Sequence, residues 1–345
     1  MLSRIYGIGL KGIEGFMVSC EVDVGAGLPQ ATLIGYANSA VKESHDRIKT
    51  AIKNSGFELM PRKMVINLSP ADIRKEGCAY DLPIAIAMLE AYKIIKSELL
   101  NNSAFIGELS LGGNLLPVRG VLALVMAAKE AGIKHIFLPK ENAKEAGVVE
   151  GIDCYGVGSL KETCDLIKRS LRGQEPVRYE YNEFEEYDEK LDFSDINGQE
   201  LSKRATIIAV SGRHNILYIG PAGTGKSMLA ARIPSIMPGM SMGERVEISK
   251  LHSICGQLPP DEALVRVRPY RHPHHTISPQ ALVGGGKYPK PGEISLASGG
   301  VLFLDELAEF KKDALEVLRQ PLEEGVVSIS RVQASYTFPA SFLLC

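Results

Sequence analysis

The chain has 345 residues, 45% hydrophobic and 23% charged, with a net charge of −2. That composition is ordinary for a soluble globular protein, and the length predicts two domains. The charge balance excludes a global basic field, so any nucleic-acid contact must be local; no apolar run reaches membrane-spanning length, and glycine and charge break the N-terminus before a signal-like core forms. The six cysteines (Cys20, Cys78, Cys154, Cys164, Cys255, Cys345) are scattered without a C-x-x-C pair. They predict reduced thiols in a cytoplasmic protein, not a disulfide frame or a zinc site.

In chain order, Gly7-Ile8-Gly9-Leu10-Lys11-Gly12 fits G-x-G-x-x-G, but an alternating run, Phe16–Val24, follows where a dinucleotide fold needs a helix. These glycines are expected as turns between strands. Ala31–Gly35 predicts a strand, and Ser39–Ser55 a helix with Val41, Ile48 and Ile52 on one face, ended by Gly56. Strands are expected at Met64–Leu68, Phe105–Leu109 and Ile136–Leu138, and helices at Pro83–Ala91 and Val121–Ala131. The alternation predicts a compact α/β domain over residues 1–170. Residues 171–194 are acidic, hold a proline and lack an apolar stripe, which predicts a linker. The second domain is expected over 195–345, opening with a helix, Glu200–Ser211, whose Leu201, Ala205, Ile208 and Ala209 share a face.

The strongest local signal is Asn215–Ser227, NILYIGPAGTGKS. An apolar run, Ile216–Ile219, leads into G-x-x-x-x-G-K-S, and a helix is expected from Lys226: strand, glycine turn, helix, the P-loop context. Gly220, Gly223 and Gly225 let the backbone of Gly220, Pro221, Ala222, Gly223, Thr224 and Gly225 curl so that N–H groups face phosphate oxygens. Lys226 is spaced to reach the β- and γ-phosphates of ATP, and Ser227 to ligate Mg²⁺. The helix would present its positive end to the same phosphates.

About eighty residues on, Val301-Leu302-Phe303-Leu304-Asp305-Glu306 reads as a strand buried on both faces and ending in two carboxylates. Asp305 is expected to hold Mg²⁺ and Glu306 to act as general base on the attacking water, so the pair implies ATP hydrolysis. Between them, Arg268–Ser278 carries three histidines in four residues, His272, His274 and His275, at a spacing that does not suit tetrahedral metal ligation. A glycine-rich loop, expected to be mobile, follows at Gly284–Gly286. Its Lys287 and Lys290 would suit contact with a nucleic-acid backbone.

Two resemblances extend this reading. Lys75–Pro83, Phe105–Gly113, Leu116–Gly120, Gly132–Lys134 and Leu138–Asn142 together resemble the Lon-type peptidase domain, a ribosomal S5 domain 2-like α/β fold. That family uses a Ser–Lys dyad, but Ala79 stands at the nucleophile position and Leu122 at the lysine position, so a non-proteolytic docking or scaffolding role is expected. Asp81 is expected to be structural. GQELSKRA, GPAGTGKSMLA, RPYRHPHHTIS, ALVGGG, PGEISLA, GVLFLDEL, EVLRQPLEEG and ISRVQAS are similar to the magnesium-chelatase-like branch of AAA+ ATPases, in particular the YifB/ComM family. The resemblance implies a cytoplasmic, homo-hexameric ATPase that binds single-stranded or branched DNA and drives branch migration in natural transformation. It also implies DNA-facing loops in the glycine-rich insert and in a hairpin around Val326–Phe338, with Arg331 as a charged candidate. Asn197 and Gln199 fall where such ATPases contact adenine, or else they simply enter a helix. Ala222 departs mildly from the family's usual proline and His272 from its alanine. Ser341–Cys345 reads as the start of a further strand; the family's sensor asparagine, arginine finger and lid lie beyond that point, so a C-terminally truncated member with little turnover of its own is expected. A magnesium-chelatase motor subunit and a non-catalytic nucleotide-responsive scaffold are the alternatives.

Overall fold

The computed structural model describes all residues except Met1, 36–38, Glu76, Cys78, 179–190, 260–261, 287–288 and 332–333. The chain divides into two compact units, Met1–Glu180 with Pro259–Ala263, and the remainder. Half of the acidic stretch expected as a linker, 179–190, falls outside the described residues. Its first part does not: the Val177 N–H bonds the Cys154 carbonyl at 2.8 Å, and Arg178 pairs with Asp153.

The first unit opens with a long hairpin, β1 (Leu2–Lys11) and β2 (Glu14–Gly25), followed by β3 (Gln30–Ile34), α1 (Ser39–Asn54), β4 (Lys63–Ser69) and α2 (Asp81–Ala91). Then come β5 (Ser103–Phe105), a small pair β6 (Glu108–Leu109) and β7 (Leu115–Leu116), α3 (Val121–Glu130), β8 (His135–Pro139), α4 (Ala143–Ala146), β9 (Asp153–Val157) and α5 (Leu160–Lys168). The main sheet runs β3-β4-β2-β1-β5-β8-β9, mixed in direction. Alternation along β1 and β2 decides what covers it. Gly9 opposes Phe16 and Gly15 opposes Leu10. These two pairs point to opposite faces, and Gly9 lies under Tyr80 at the start of α2, whereas Gly15 lies under Ala123 and Ala127 of α3. The sheet is therefore covered on both sides. α2 is buried along nearly its whole length, which is why its sequence shows no polar face.

Gly7 and Gly9 are thus not turns. Both sit inside β1, and a Cβ on Gly7 would come within 2.9 Å of Pro83, while one on Gly9 would strike Tyr80 and Phe16. They are glycine because a helix packs directly on their strand; the turn is at Gly12, which has φ +65°. The expected strand Phe105–Leu109 is also divided. Gly107 donates to the Ala79 carbonyl at 3.0 Å and accepts from the Leu82 N–H at 3.0 Å, which takes it out of the ladder. Asp81 is fully buried and accepts from Arg47 at 2.8 and 3.0 Å and from the Leu109 N–H at 3.1 Å. Burial pushes its carboxyl up, and the Arg47 guanidinium works against that. Ala79 lies in a turn, and Leu122 is fully buried in α3. Cys20, Cys154 and Cys164 are free and buried, and burial pushes each thiol up to about 12.

The second unit begins with a 3-10 turn, Phe193–Asp195, and α6 (Glu200–Ser211), then α7 (Lys226–Ala231), α8 (Ile233–Ile236) and α9 (Met242–Cys255). β10 (Tyr270–Arg271), α10 (Pro279–Val283), β11 (Gly284–Gly285), β12 (Lys290–Pro291), α11 (Glu293–Leu296) and β13 (Val301–Leu302) follow. The unit closes with α12 (Lys312–Glu316), α13 (Arg319–Glu324), the antiparallel pair β14 (Val326–Arg331) and β15 (Ala334–Pro339), and β16 (Leu343–Leu344). Its parallel sheet runs β10-β13-β16. The segment entering the phosphate loop lies beside β16: the Ile216 N–H bonds the Leu344 carbonyl at 3.0 Å, and the Leu344 N–H bonds Asn215 Oδ1 at 2.9 Å. It forms no regular strand, contrary to expectation. Support comes from one flank among the described residues, and Leu217 and Ile219 are 66% and 89% exposed.

Among the described residues, no helix is long and apolar enough to cross a membrane.

Candidate nucleotide site

The glycine loop is shaped by two left-handed residues, Gly223 (φ +78°) and Gly225 (φ +82°). At Gly223 a Cβ would meet open space, so backbone conformation alone demands glycine there. Gly220 does not share that conformation; its surroundings are set instead by Thr224, whose hydroxyl donates to the Pro221 carbonyl at 2.9 Å. Lys226 Nζ donates to the Gly220 and Pro221 carbonyls at 2.9 and 2.8 Å. The ammonium is therefore folded over the loop, at the place where phosphate oxygens would compete for it. The helix behind the loop is short. α7 has six residues, and Pro234, which has no N–H to give, follows in α8. Loop amides and the Lys226 charge thus matter more here than a helix dipole.

Residues far apart in sequence meet at this loop. Ser227 Oγ donates to Asp305 Oδ2 at 2.9 Å across 78 residues. The other oxygen, Asp305 Oδ1, accepts from the Glu306 N–H at 3.0 Å. Asp305 is delivered by β13, fully buried at Val301 and Leu302 and extended by bonds from Phe303 to the Arg271 carbonyl and from Leu304 to the Cys345 carbonyl, both within 2.9 Å. Glu306 has φ +55° and ψ +52°, a left-handed conformation that costs about 1 kcal/mol or more in a non-glycine residue. It turns the carboxylate out of the strand toward His275, whose Nδ1 lies 3.7 Å from Glu306 Oε2.

The sequence reading had not singled out that histidine contact. The His274 and His275 rings lie tilted against each other with centroids 4.0 Å apart, and His272 packs on Phe303 at 4.8 Å. Among the described residues, no group of three His, Cys, Asp or Glu side chains is placed to hold a metal ion. A hydroxyl and a carboxylate oxygen 2.9 Å apart nevertheless suit Mg²⁺, which takes few protein ligands and keeps water and phosphate oxygens for the rest. The loop, with its two left-handed glycines and its lysine, suits a nucleotide triphosphate.

Of the DNA-facing candidates, Lys290 alone has a described side chain. Lys287 lies outside the described residues, as does the side chain of Arg331 at the end of β14. Lys290 is exposed in β12, where its register partner is Gly285. The glycine-rich stretch is thus a short ladder and not a free loop: a side chain on Gly284 would strike the Lys290 carbonyl.

A phosphate loop joined through its serine to an acidic strand end, on a parallel sheet, defines an AAA+ ATPase-type protein. Comparison with known proteins agrees. The family described as "Magnesium chelatase, subunit ChlI" matches residues 192–345, and that described as "Subunit ChlI of Mg-chelatase" matches 20–142. The chain is 41% identical to the YifB protein of Escherichia coli and 40% identical to "Competence protein ComM" of Haemophilus influenzae. Each alignment covers 99% of this chain and 67% of the relative. A Lon protease of Amoebophilus asiaticus is 30% identical over 146 residues, 40% of this chain and 17% of that protein. The chain belongs to the YifB/ComM family and spans about two thirds of the length of those relatives.

Proposed function

We propose that this chain binds Mg·ATP and couples its hydrolysis to remodelling of single-stranded or branched DNA, as part of a cytoplasmic homo-hexameric motor. The observation that carries the nucleotide half is the 2.9 Å bond between Ser227 and Asp305, with Glu306 next in the chain. In this reading the N–H groups of Gly220–Gly225 and the Lys226 ammonium hold the phosphates. Ser227 and Asp305 hold Mg²⁺, which would supply charge neutralisation at the phosphoryl oxygens. Glu306 orients and deprotonates the attacking water. The DNA half rests on the family: a relative named for competence is 40% identical along this chain. Lys287, Lys290 and Arg331 are its DNA-facing candidates, behind a non-proteolytic Lon-like domain over residues 1–170 and a linker over 171–194.

Titration of the 345-residue protein with Mg·ATP tests the first half. Lys226→Ala is expected to weaken binding about 10- to 100-fold through loss of charge-assisted bonds. Glu306→Gln is expected to leave binding intact and cut turnover about 10²-fold or more. Binding indifferent to Lys226 overturns the reading. ATP-dependent binding to forked DNA tests the second half; its absence, with ATP bound, removes the DNA assignment. The matched family's description favours one alternative, a chelatase-type motor, for which turnover would respond to a metal-free porphyrin partner and not to DNA.

A further inference from the structure

The phosphate loop is gripped from outside by a side chain of a different segment. Gln199 immediately precedes α6 and has φ +59° and ψ +35°, an uncommon conformation for a residue with a Cβ. Its backbone carbonyl starts the helix by accepting from the Lys203 N–H at 2.9 Å. Its side-chain amide is thereby aimed at the loop, where Nε2 donates to the Thr224 carbonyl, 25 residues along the chain. The same Nε2 lies 3.7 Å from the point where Gly225 lacks a Cβ, so the amide sits against this peptide unit and not at its margin.

A trans peptide points its C=O and its N–H in opposite directions. Drawing the Thr224 carbonyl toward Gln199 therefore turns the Gly225 N–H the other way. Glycine at position 225 has no Cβ to restrict this plane, and its left-handed φ of +82° lies in a region that glycine enters and leaves readily. An external bond is what holds it. Lys226 is engaged elsewhere, on the Gly220 and Pro221 carbonyls, and Thr224 Oγ1 on Pro221, so neither substitutes for Gln199 at this carbonyl.

We propose that Gln199 is a positioning residue of the phosphate loop: its amide pins the Thr224–Gly225 peptide so that the Gly225 N–H is presented to nucleotide phosphate. This deepens the nucleotide reading and rests on it. It also assigns the Gln199 amide to the loop backbone and not to the nucleobase, so Gln199 contributes affinity without choosing the base.

Two variants test it in the full 345-residue protein. Gln199→Gly suits the left-handed backbone and removes the side chain, so the fold is retained. Gln199→Glu keeps the size and replaces the donor with an acceptor. Hydrogen–deuterium exchange without nucleotide reads the pin directly. In both variants the peptide spanning Gly220–Ser227 is expected to exchange about three- to tenfold faster, the worth of one net hydrogen bond, with the thermal midpoint unchanged. The Kd for Mg·ATP is expected to rise by the same factor in both, and equally for GTP if it binds. Unchanged loop exchange, or an unchanged Kd beside faster exchange, overturns the proposal. So does a loss confined to one base, which would make Gln199 a nucleobase contact. A wild-type protein that binds no ATP, while Gln199→Gly still loosens the loop, sinks the nucleotide reading and leaves the pin standing.

Discussion

At the scale of single residues, polar side chains in this protein are held by partners that fix their direction. Asp305 offers one oxygen to Ser227 and the other to the Glu306 N–H, so its carboxylate plane cannot rotate without losing a bond. Asp81 shows the same economy inside the first unit, where Arg47 meets it with two nitrogens while Asp81 is wholly buried. Such a pair adds little over a well-packed apolar substitute, but breaking one half leaves a buried charge without its counter-ion. Arg47→Ala is accordingly expected to cost about 3 kcal/mol in urea unfolding, whereas Arg47→Ala combined with Asp81→Asn recovers part of the loss. A single-variant cost below about 1 kcal/mol would show that Asp81 is carried by the Leu109 N–H alone. Gly9 gives a second expectation at this scale. Gly9→Ala forces a methyl group onto Tyr80 and Phe16, and overpacking of that kind costs about 1–3 kcal/mol, read in the same denaturation experiment.

At the scale of elements, caps decide where helices begin. Ser241 and Glu244 form a reciprocal box at the start of α9: the Ser241 hydroxyl accepts from the Glu244 N–H at 3.3 Å, and Glu244 Oε2 accepts from the Ser241 N–H at 2.8 Å. That backbone bond, with help from the Ser241 hydroxyl and Arg268, holds the Glu244 carboxyl below its ordinary 4.5. The sign follows. The unfolded chain takes up the proton more readily, so the contribution is complete above 4.5 and is lost as pH falls through the lowered folded value. Ser241→Ala is expected to cost about 1 kcal/mol at neutral pH. Glu244→Gln should flatten the fall in stability below pH 4.5, and an acid limb identical to wild type would contradict this. Helix caps also show what was legible. Ser241-x-x-Glu244 and Ser159-x-x-Glu162, which cap α9 and α5, stood in the sequence as start signals and were overlooked. The phosphate loop was readable because its spacing is local. The glycines of β1 were misread because what makes them glycine, the start of α2, lies more than seventy residues on and arrives only by folding. Likewise, Ile216–Ile219 has a strand's composition, yet a strand is completed by its neighbours, and here β16 supplies one flank.

At the scale of the whole molecule, each of the two compact units has its own buried set of side chains. In the first unit one layer of it lies between the sheet and α2, among residues such as Val18, Leu82, Ile86 and Phe105; in the second, one cluster gathers around Val210, Ile233, Val301 and Leu343. The residues that would hold Mg·ATP all belong to the second unit. Ligand binding stabilises only the folded form that carries the site, by RT ln(1 + [L]/Kd), so saturation should act on one unit and not the other. At Mg·ATP a hundredfold above Kd the gain is about 2.7 kcal/mol. For a unit of this size that corresponds to a rise of about 5–11 °C in its unfolding midpoint. Calorimetry with and without Mg·ATP is expected to show two transitions of which one moves. Exchange measured through the melt assigns the moving one to peptides from 192–345 and the stationary one to peptides from β1 to α5. Lys226→Ala, with its Kd raised 10- to 100-fold, should cut the gain at the same Mg·ATP to about 0.4–1.4 kcal/mol without changing the nucleotide-free trace, because its Nζ bonds only carbonyls already at the loop surface. A single transition that moves as a whole would mean that the two cores unfold together, and the first unit would then report on nucleotide through the second. A shift confined to the first unit would place the ligand outside the loop altogether.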